Sequence, residues 1–123
     1  MAKKLLIVDD EKDVRDFAAN FFRKRKIECT TASHGEEALE KLAKEKADLV
    51  LLDISMPGID GIETLKRIKA YDPGINVIMV TGTKPEQVGA NDTCRELGAL
   101  DYIHKPLEMD ELERVVLTVL SDK

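Results

Sequence analysis

The chain has 123 residues, of which 43% are hydrophobic and 35% charged, and this size predicts one domain over residues 1–123 rather than a multidomain enzyme. A net charge of −5 with only 4% aromatic residues argues against a nucleic-acid binder. Two distant cysteines, Cys29 and Cys94, and the lack of a leader or membrane-spanning run predict a reduced, cytoplasmic protein.

Five short apolar runs predict the strands of a single parallel sheet. They are Leu5–Val8, Ile27–Thr31, Leu49–Leu52, Val77–Val80 and Leu100–Ile103. Their apolarity is continuous rather than alternating, which is typical of strands covered by helices on both faces. The run from Ile27 is mixed in polarity and therefore predicts an edge strand.

Between these runs, apolar residues recur at the spacing of a helix. The stripes are Val14, Phe17, Ala18, Phe21 and Phe22; then Ala38, Leu39, Leu42 and Ala43; then Ile62, Leu65 and Ile68; and finally Met109, Leu112, Val115, Val116, Val119 and Leu120. Each stripe is expected to face the sheet. Five strands that alternate with helices predict a doubly wound α/β sandwich.

Local signals refine these helices. Ser33 to Glu36 and Thr83 to Glu86 have the spacing of capping boxes. The basic run Arg23–Lys26 is interpreted as the solvated end of the first helix. The fourth helix, over about 85–97, is interrupted by glycine and polar residues, so we expect it to be the softest element.

Polar side chains follow the predicted strands. They are Asp9 and Asp10 after the first strand, Asp53 after the third, Thr81 after the fourth and Lys105 after the fifth. The carboxyl ends of parallel strands meet at one edge of a sheet, where such folds bind ligands. Three clustered carboxylates repel one another unless a cation lies between them, and Mg²⁺ prefers such hard oxygen ligands. An ammonium and a hydroxyl nearby suit phosphoryl oxygens.

Alternative interpretations of single residues remain open. An isolated acid after a strand is usually a helix N-cap, and an isolated threonine or lysine is usually a turn residue. His34 and His104 are interpreted as structural. The P-loop and dinucleotide-binding glycine patterns are absent from the sequence, which argues against a nucleotide site.

The polar residues also resemble the motifs of a known family. The residues are Asp9-Asp10, the segment from Asp53 to Gly61, Thr81, Gly98-Ala99, Tyr102 and Lys105-Pro106. In order and spacing they resemble the receiver domain of two-component response regulators. The resemblance implies a flavodoxin-like (βα)5 fold with five helices and strand order 2-1-3-4-5.

The resemblance also implies roles for individual residues. Asp53 would be the phospho-acceptor, and Asp10, Asp53 and the Ser55 carbonyl would bind Mg²⁺, with Asp9 acting mainly through water. Thr81 and Lys105 would contact the phosphoryl group. Tyr102 resembles the aromatic switch residue.

The leading hypothesis is a phosphorylation-dependent signalling switch. It would accept a phosphoryl group from a histidine kinase or phosphotransfer protein and change a face formed by the fourth helix, fifth strand and fifth helix, where a downstream protein target binds. It would be no conventional enzyme, with at most weak self-phosphorylation and autodephosphorylation, and neither nucleic acid nor membrane is an expected direct partner. The alternatives are an interaction module that works without phosphorylation, or the regulatory domain of a longer DNA-binding regulator.

Overall fold

The computed structural model describes residues 3–53, 61–81, 96–104 and 109–121. The elements in this part of the chain are β1 (Lys4–Val8), α1 (Lys12–Arg23), β2 (Glu28–Ala32), α2 (Gly35–Lys44), β3 (Leu49–Asp53), α3 (Gly61–Tyr71), β4 (Asn76–Thr81), β5 (Asp101–His104) and α4 (Met109–Ser121). The helix predicted over 85–97 lies outside the described residues except at its carboxyl end. The capping box predicted at Thr83 to Glu86 lies outside them entirely. The helix α4 is therefore the one predicted fifth. No helix in these ranges is both long and apolar enough to span a membrane.

The strands form one five-stranded sheet in the order β2-β1-β3-β4-β5, and every neighbouring pair is parallel. This arrangement confirms the predicted strand order and the edge position of β2. Val8 pairs with Leu52, and Asp53 pairs with Val80, so the three central strands end at nearly the same level. The residues that follow them therefore share one edge of the sheet.

Two apolar clusters cover the two faces of the sheet. On one face, alternate strand residues such as Leu6 and Val50 pack with α2 and α3, and on the other face Leu5 and Leu49 pack with α1 and α4. All five residues of β3 are buried. The continuous apolarity of the central strands is explained by this double coverage, and each fully buried leucine contributes about 2 kcal/mol.

The buried face of α1 differs from the predicted one. Phe17 was expected to face the sheet but is 58% exposed, whereas Ala18, Ala19 and Phe22 are buried. At 100° per residue, Phe17 lies about 160° from Ala19 around the helix. The two small alanines let α1 lie close to the sheet, which turns Phe17 outward.

The end of α1 has the hydrogen bonds of a Schellman motif. The Ile27 N–H donates to the Phe22 carbonyl and the Lys26 N–H to the Arg23 carbonyl, and Lys26 has a φ of 66°. The basic run ends the helix in solvent, as predicted. Arg25 additionally forms a 2.6 Å ion pair with Glu113 of α4 and lies over the Phe21 ring.

The start of α2 is capped one residue later than the Ser33 to Glu36 spacing predicted. The N-cap is His34, whose Nδ1 accepts a hydrogen bond from the Glu37 N–H at 3.2 Å. Glu37 in turn accepts hydrogen bonds from the Ser33 N–H at 2.7 Å and from its hydroxyl at 2.9 Å. The arrangement resembles a capping box, but Glu37 bonds back to Ser33, the residue before the N-cap, rather than to the N-cap N–H, and it takes the role expected of Glu36. The structural role predicted for His34 is confirmed.

Candidate functional site

Three aspartates meet at the carboxyl edge of the sheet. Asp9 and Asp10 follow β1, and Asp53 ends β3, the strand that pairs with β1. Carboxylate oxygens of the three side chains lie within 4.8 Å of one another. The predicted meeting of these carboxylates is therefore found in the structure.

The burial of this cluster makes its charge costly. Asp9 is 3% exposed and Asp53 is 2% exposed, while Asp10 is exposed. Like charges at this separation, partly removed from water, disfavour one another, and a cation between them offsets that cost. Hard carboxylate oxygens that converge from two rigid strands fit Mg²⁺, which takes one or two carboxylates and keeps several waters.

Asp9 also shapes the turn into α1. Its Oδ1 accepts a hydrogen bond from the Glu11 N–H at 2.9 Å, whereas Glu11, at the N-cap position, makes no side-chain cap bond. The capping alternative for an isolated acid thus holds in part for Asp9. Its carboxylate serves the backbone as well as the acidic cluster.

Arg15 was missed by sequence reasoning. From the first turns of α1, its Nη1 donates to the Asp9 carbonyl at 2.8 Å and so holds the β1–α1 turn in place. The guanidinium contacts the main chain of the loop in this bond. The sequence offered one signal for this role, a basic residue soon after two consecutive acids. No motif distinguishes such a residue from an arginine on the surface.

The other predicted site residues are placed only in part. Thr81 is the last residue of β4, the strand next to β3, and its backbone pairs with His104 of β5. Tyr102 lies in β5, where its backbone pairs with Met79 of β4. Both strands point toward the edge that carries the aspartates. Ser55 and Lys105 lie outside the described residues, so their roles stay predictions.

A cavity elsewhere does not bear on this site. It has a volume of about 290 Å³, lies between α2 and β1, and includes none of the three aspartates in its lining. Two of its lysines are already paired, Lys4 with Glu45 at 2.7 Å and Lys46 with Asp72 at 3.1 Å. The acidic cluster is the better candidate because its charges converge.

The fold and the cluster together define a class of protein. A five-stranded parallel sheet in the order 2-1-3-4-5 with acids at its carboxyl edge is a flavodoxin-like α/β domain whose binding edge suits a metal ion. An acidic first loop repels a bare nucleotide phosphate, which distinguishes this class from the nucleotide-binding members of the same architecture.

Comparison with known proteins assigns the family. The model of the response regulator receiver domain matches residues 5–117, and the chain belongs to this family. It is 40% identical over 123 residues to the sporulation initiation phosphotransferase F of Bacillus subtilis, of which it covers 98%. It is 35% identical to the regulatory protein AtoC of Escherichia coli, of which it covers 25%.

Solved structures agree with this assignment. The CheY-like receiver domain protein of Methanospirillum hungatei is 31% identical, with a TM-score of 0.89 over 97% of this chain and 94% of that chain. The response regulator TrrA of Thermotoga maritima, solved in complex with Mg²⁺–BeF, is 33% identical, with a TM-score of 0.84 over 96% of this chain and 99% of that one.

Family membership establishes the general function. The chain is a phosphoacceptor module of a two-component system, and its signalling depends on phosphorylation. Receiver domains of this family interact with kinases and phosphotransfer proteins.

Proposed function

We propose that Asp53 accepts a phosphoryl group from a phosphohistidine or a small acyl phosphate, with Mg²⁺ held by Asp10, Asp53 and the Ser55 carbonyl, and by Asp9 mainly through water. The observation that carries this proposal is the convergence of three carboxylates at the ends of two paired central strands. Asp53 itself ends β3, which is buried along its whole length and so fixes its position.

The transfer is a displacement at phosphorus. An Asp53 carboxylate oxygen forms the new P–O bond while the P–N bond of the phosphohistidine breaks. The bonding pair stays on the ring nitrogen, and because the second ring nitrogen carries a proton, the donor leaves as a neutral imidazole. Mg²⁺, when bound, neutralises charge on the phosphoryl oxygens. Asp10 is the exposed acid of the cluster and the most accessible to an entering hydrated cation.

Asp9 and Arg15 hold the loop that carries Asp10. One Asp9 oxygen accepts the Glu11 N–H, which supports a role for Asp9 through water rather than as a full ligand. The Arg15 bond to the Asp9 carbonyl limits the freedom of the same turn. These contacts prearrange the carboxylates before a cation or a phosphoryl group arrives.

The response to phosphorylation would begin at Thr81 and Lys105, which we assign to the phosphoryl oxygens. Movement of Thr81 toward the phosphoryl group would leave space for the Tyr102 ring and change the face built by residues 85–97, β5 and α4. The phosphoryl group must favour one of two arrangements that differ by a few kcal/mol. Self-phosphorylation and autodephosphorylation would be weak, and residues 1–123 would act as one domain.

The partners follow from the same chemistry. The donor would be a histidine kinase or a phosphotransfer protein. Similarity to a phosphotransferase over the whole chain supports onward transfer of the phosphoryl group to a second protein.

Intact-mass spectrometry with Mg²⁺ and a small acyl phosphate tests the proposal. Wild type should gain one phosphoryl group, and Asp53→Asn should gain none. Asp48→Asn, at an exposed acid just before the amino end of β3, is the matched control and should react as wild type does. Reaction of Asp53→Asn at the wild-type rate would show that the acceptor is another residue. Failure of wild type to react would favour an interaction module that works without phosphorylation.

A further inference from the structure

Two side chains form hydrogen bonds to the outer edge of β2, the edge strand of the sheet. The Glu28 N–H donates to the Lys3 carbonyl and the Ala32 carbonyl accepts from the Asp9 N–H, so these β2 residues face β1. In a parallel strand, successive residues direct their amide groups to opposite sides. The intervening residues Cys29 and Thr31 therefore direct their amide groups away from the sheet.

Both outward carbonyls are bonded by cations. Arg23 of α1 donates from Nη2 to the Cys29 carbonyl at 2.9 Å, and the Lys41 ammonium of α2 donates to the Thr31 carbonyl. The helices α1 and α2 pack on opposite faces of the sheet. One charged side chain thus reaches the edge from each face, and hydrogen bonds from charged donors are stronger than neutral ones.

An uncovered strand edge is a template for pairing with another chain, and charged residues are a common protection against it. We propose that β2 is a latent pairing surface for a second copy of this chain, and that Arg23 and Lys41 keep it closed. Removing both donors would free the Cys29 and Thr31 carbonyls, which lie on the same edge as the outward N–H groups of these two residues.

The sequence of β2 suits a second copy. In an antiparallel pair of β2 strands centred on Thr30, Cys29 of one copy would lie opposite Thr31 of the other, and the two residues would exchange their outward groups. Glu28 is the charged residue of this strand and would lie opposite Ala32. The pairing is therefore two-fold symmetric and places no like charges opposite each other.

The test compares two double variants by sedimentation equilibrium. The first is Arg23→Met with Lys41→Met, which removes both donors and keeps chain length. The control is Lys24→Met with Lys44→Met, which removes the same charge from exposed neighbours near the ends of the same helices. At concentrations up to about 1 mM, a suitable range for weak association, the mass of the first should rise toward twice that of the control. Amide exchange at Cys29 and Thr31 should slow several-fold.

A third substitution tests whether the association occurs through the β2 edge. Thr31→Pro removes an outward N–H and leaves the ladder to β1 intact, so adding it to the first variant should return the mass to the control value. Equal masses for the folded donor variant and the control would overturn the proposal, as would association that survives the proline. If circular dichroism shows the double variant unfolded, Lys41→Met alone is measured against Lys44→Met with the same two outcomes.

Discussion

Neutralising Asp10 should stabilise the protein when metal is absent. Two unit charges 4.8 Å apart, the separation that bounds the cluster, repel by about 0.9 kcal/mol in water and about 3.5 kcal/mol at an effective dielectric constant of 20. Because Asp10 is exposed, the lower value is the better guide. Its charge interacts with two other carboxylates, so Asp10→Asn should raise the free energy of unfolding by about 2 kcal/mol.

Mg²⁺ should remove much of the stability difference between Asp10→Asn and wild type. At ten times its Kd, Mg²⁺ adds about 1.4 kcal/mol to wild type because it binds the folded cluster, and it should add little to Asp10→Asn. In a chelator the variant should melt roughly 6 to 8 °C above wild type, and the gap should narrow as Mg²⁺ is added. Asp13→Asn, an equal change of charge in the first turn of α1, is the control.

Thermal melts of the three proteins with chelator and with millimolar Mg²⁺ decide between the outcomes. If Asp10→Asn melts no higher than Asp13→Asn in chelator, carboxylate repulsion is not a significant energy in this fold. If Mg²⁺ shifts all three midpoints equally, the acidic cluster does not bind it.

Two further predictions concern helix ends. The hydrogen bonds from Ser33 lower the pKa of Glu37 from 4.5 to about 2, so its charge stabilises the fold above about pH 4.5 and this contribution is lost as the pH falls toward 2. Since the Glu37 side chain is 32% exposed, Glu37→Gln should lower the unfolding free energy by about 1 to 2 kcal/mol at neutral pH and by less at pH 2, as measured by urea unfolding against Glu36→Gln. Lys26→Gly should raise the unfolding free energy by about 0.5 to 1 kcal/mol, because glycine adopts the positive φ of 66° without strain. A loss of stability in the same urea unfolding measurement would contradict the Schellman geometry.

The strands were predictable because their burial is visible in composition alone. Strands covered on both faces are continuously apolar, as in β1 and β3. The mixed polarity of β2 indicates an edge strand. The parallel direction then placed Asp9, Asp10 and Asp53 at one edge. Spacing and topology were sufficient for this part of the site.

The rotation of α1 about its axis was less predictable. Apolar spacing selects a broad stripe that contains Phe17, but the contact face is decided by which side chains allow the closest approach. Ala18 and Ala19 supply that close contact and are buried. The apolar spacing correctly included Ala18 and Phe22, but it included the exposed Phe17 and omitted the buried Ala19.

Other details depended on contacts between distant residues. Gly98 has a φ of 104°, and a Cβ at this position would lie 3.2 Å from Cε of Lys69, whose ammonium donates to the Ile75 carbonyl at 2.6 Å. The sequence showed the Gly98-Ala99 motif but not why a glycine is needed at position 98. The capping at α2 was similar, because Ser33 to Glu36 and His34 to Glu37 have identical spacing and only the structure distinguishes them.

The central position of β1 affects how the chain is made as well as how it folds. Lys4 pairs with Glu28, but Leu5 also pairs with Leu49, which is synthesised much later. At 5 to 20 residues per second, β1 and β2 wait about 1 to 4 s for β3 to be completed. During this interval one apolar edge of β1 lacks its partner, and long-range parallel pairing is slow to form. The speed of translation through residues 33–53 therefore sets how long the nascent chain is open to aggregation.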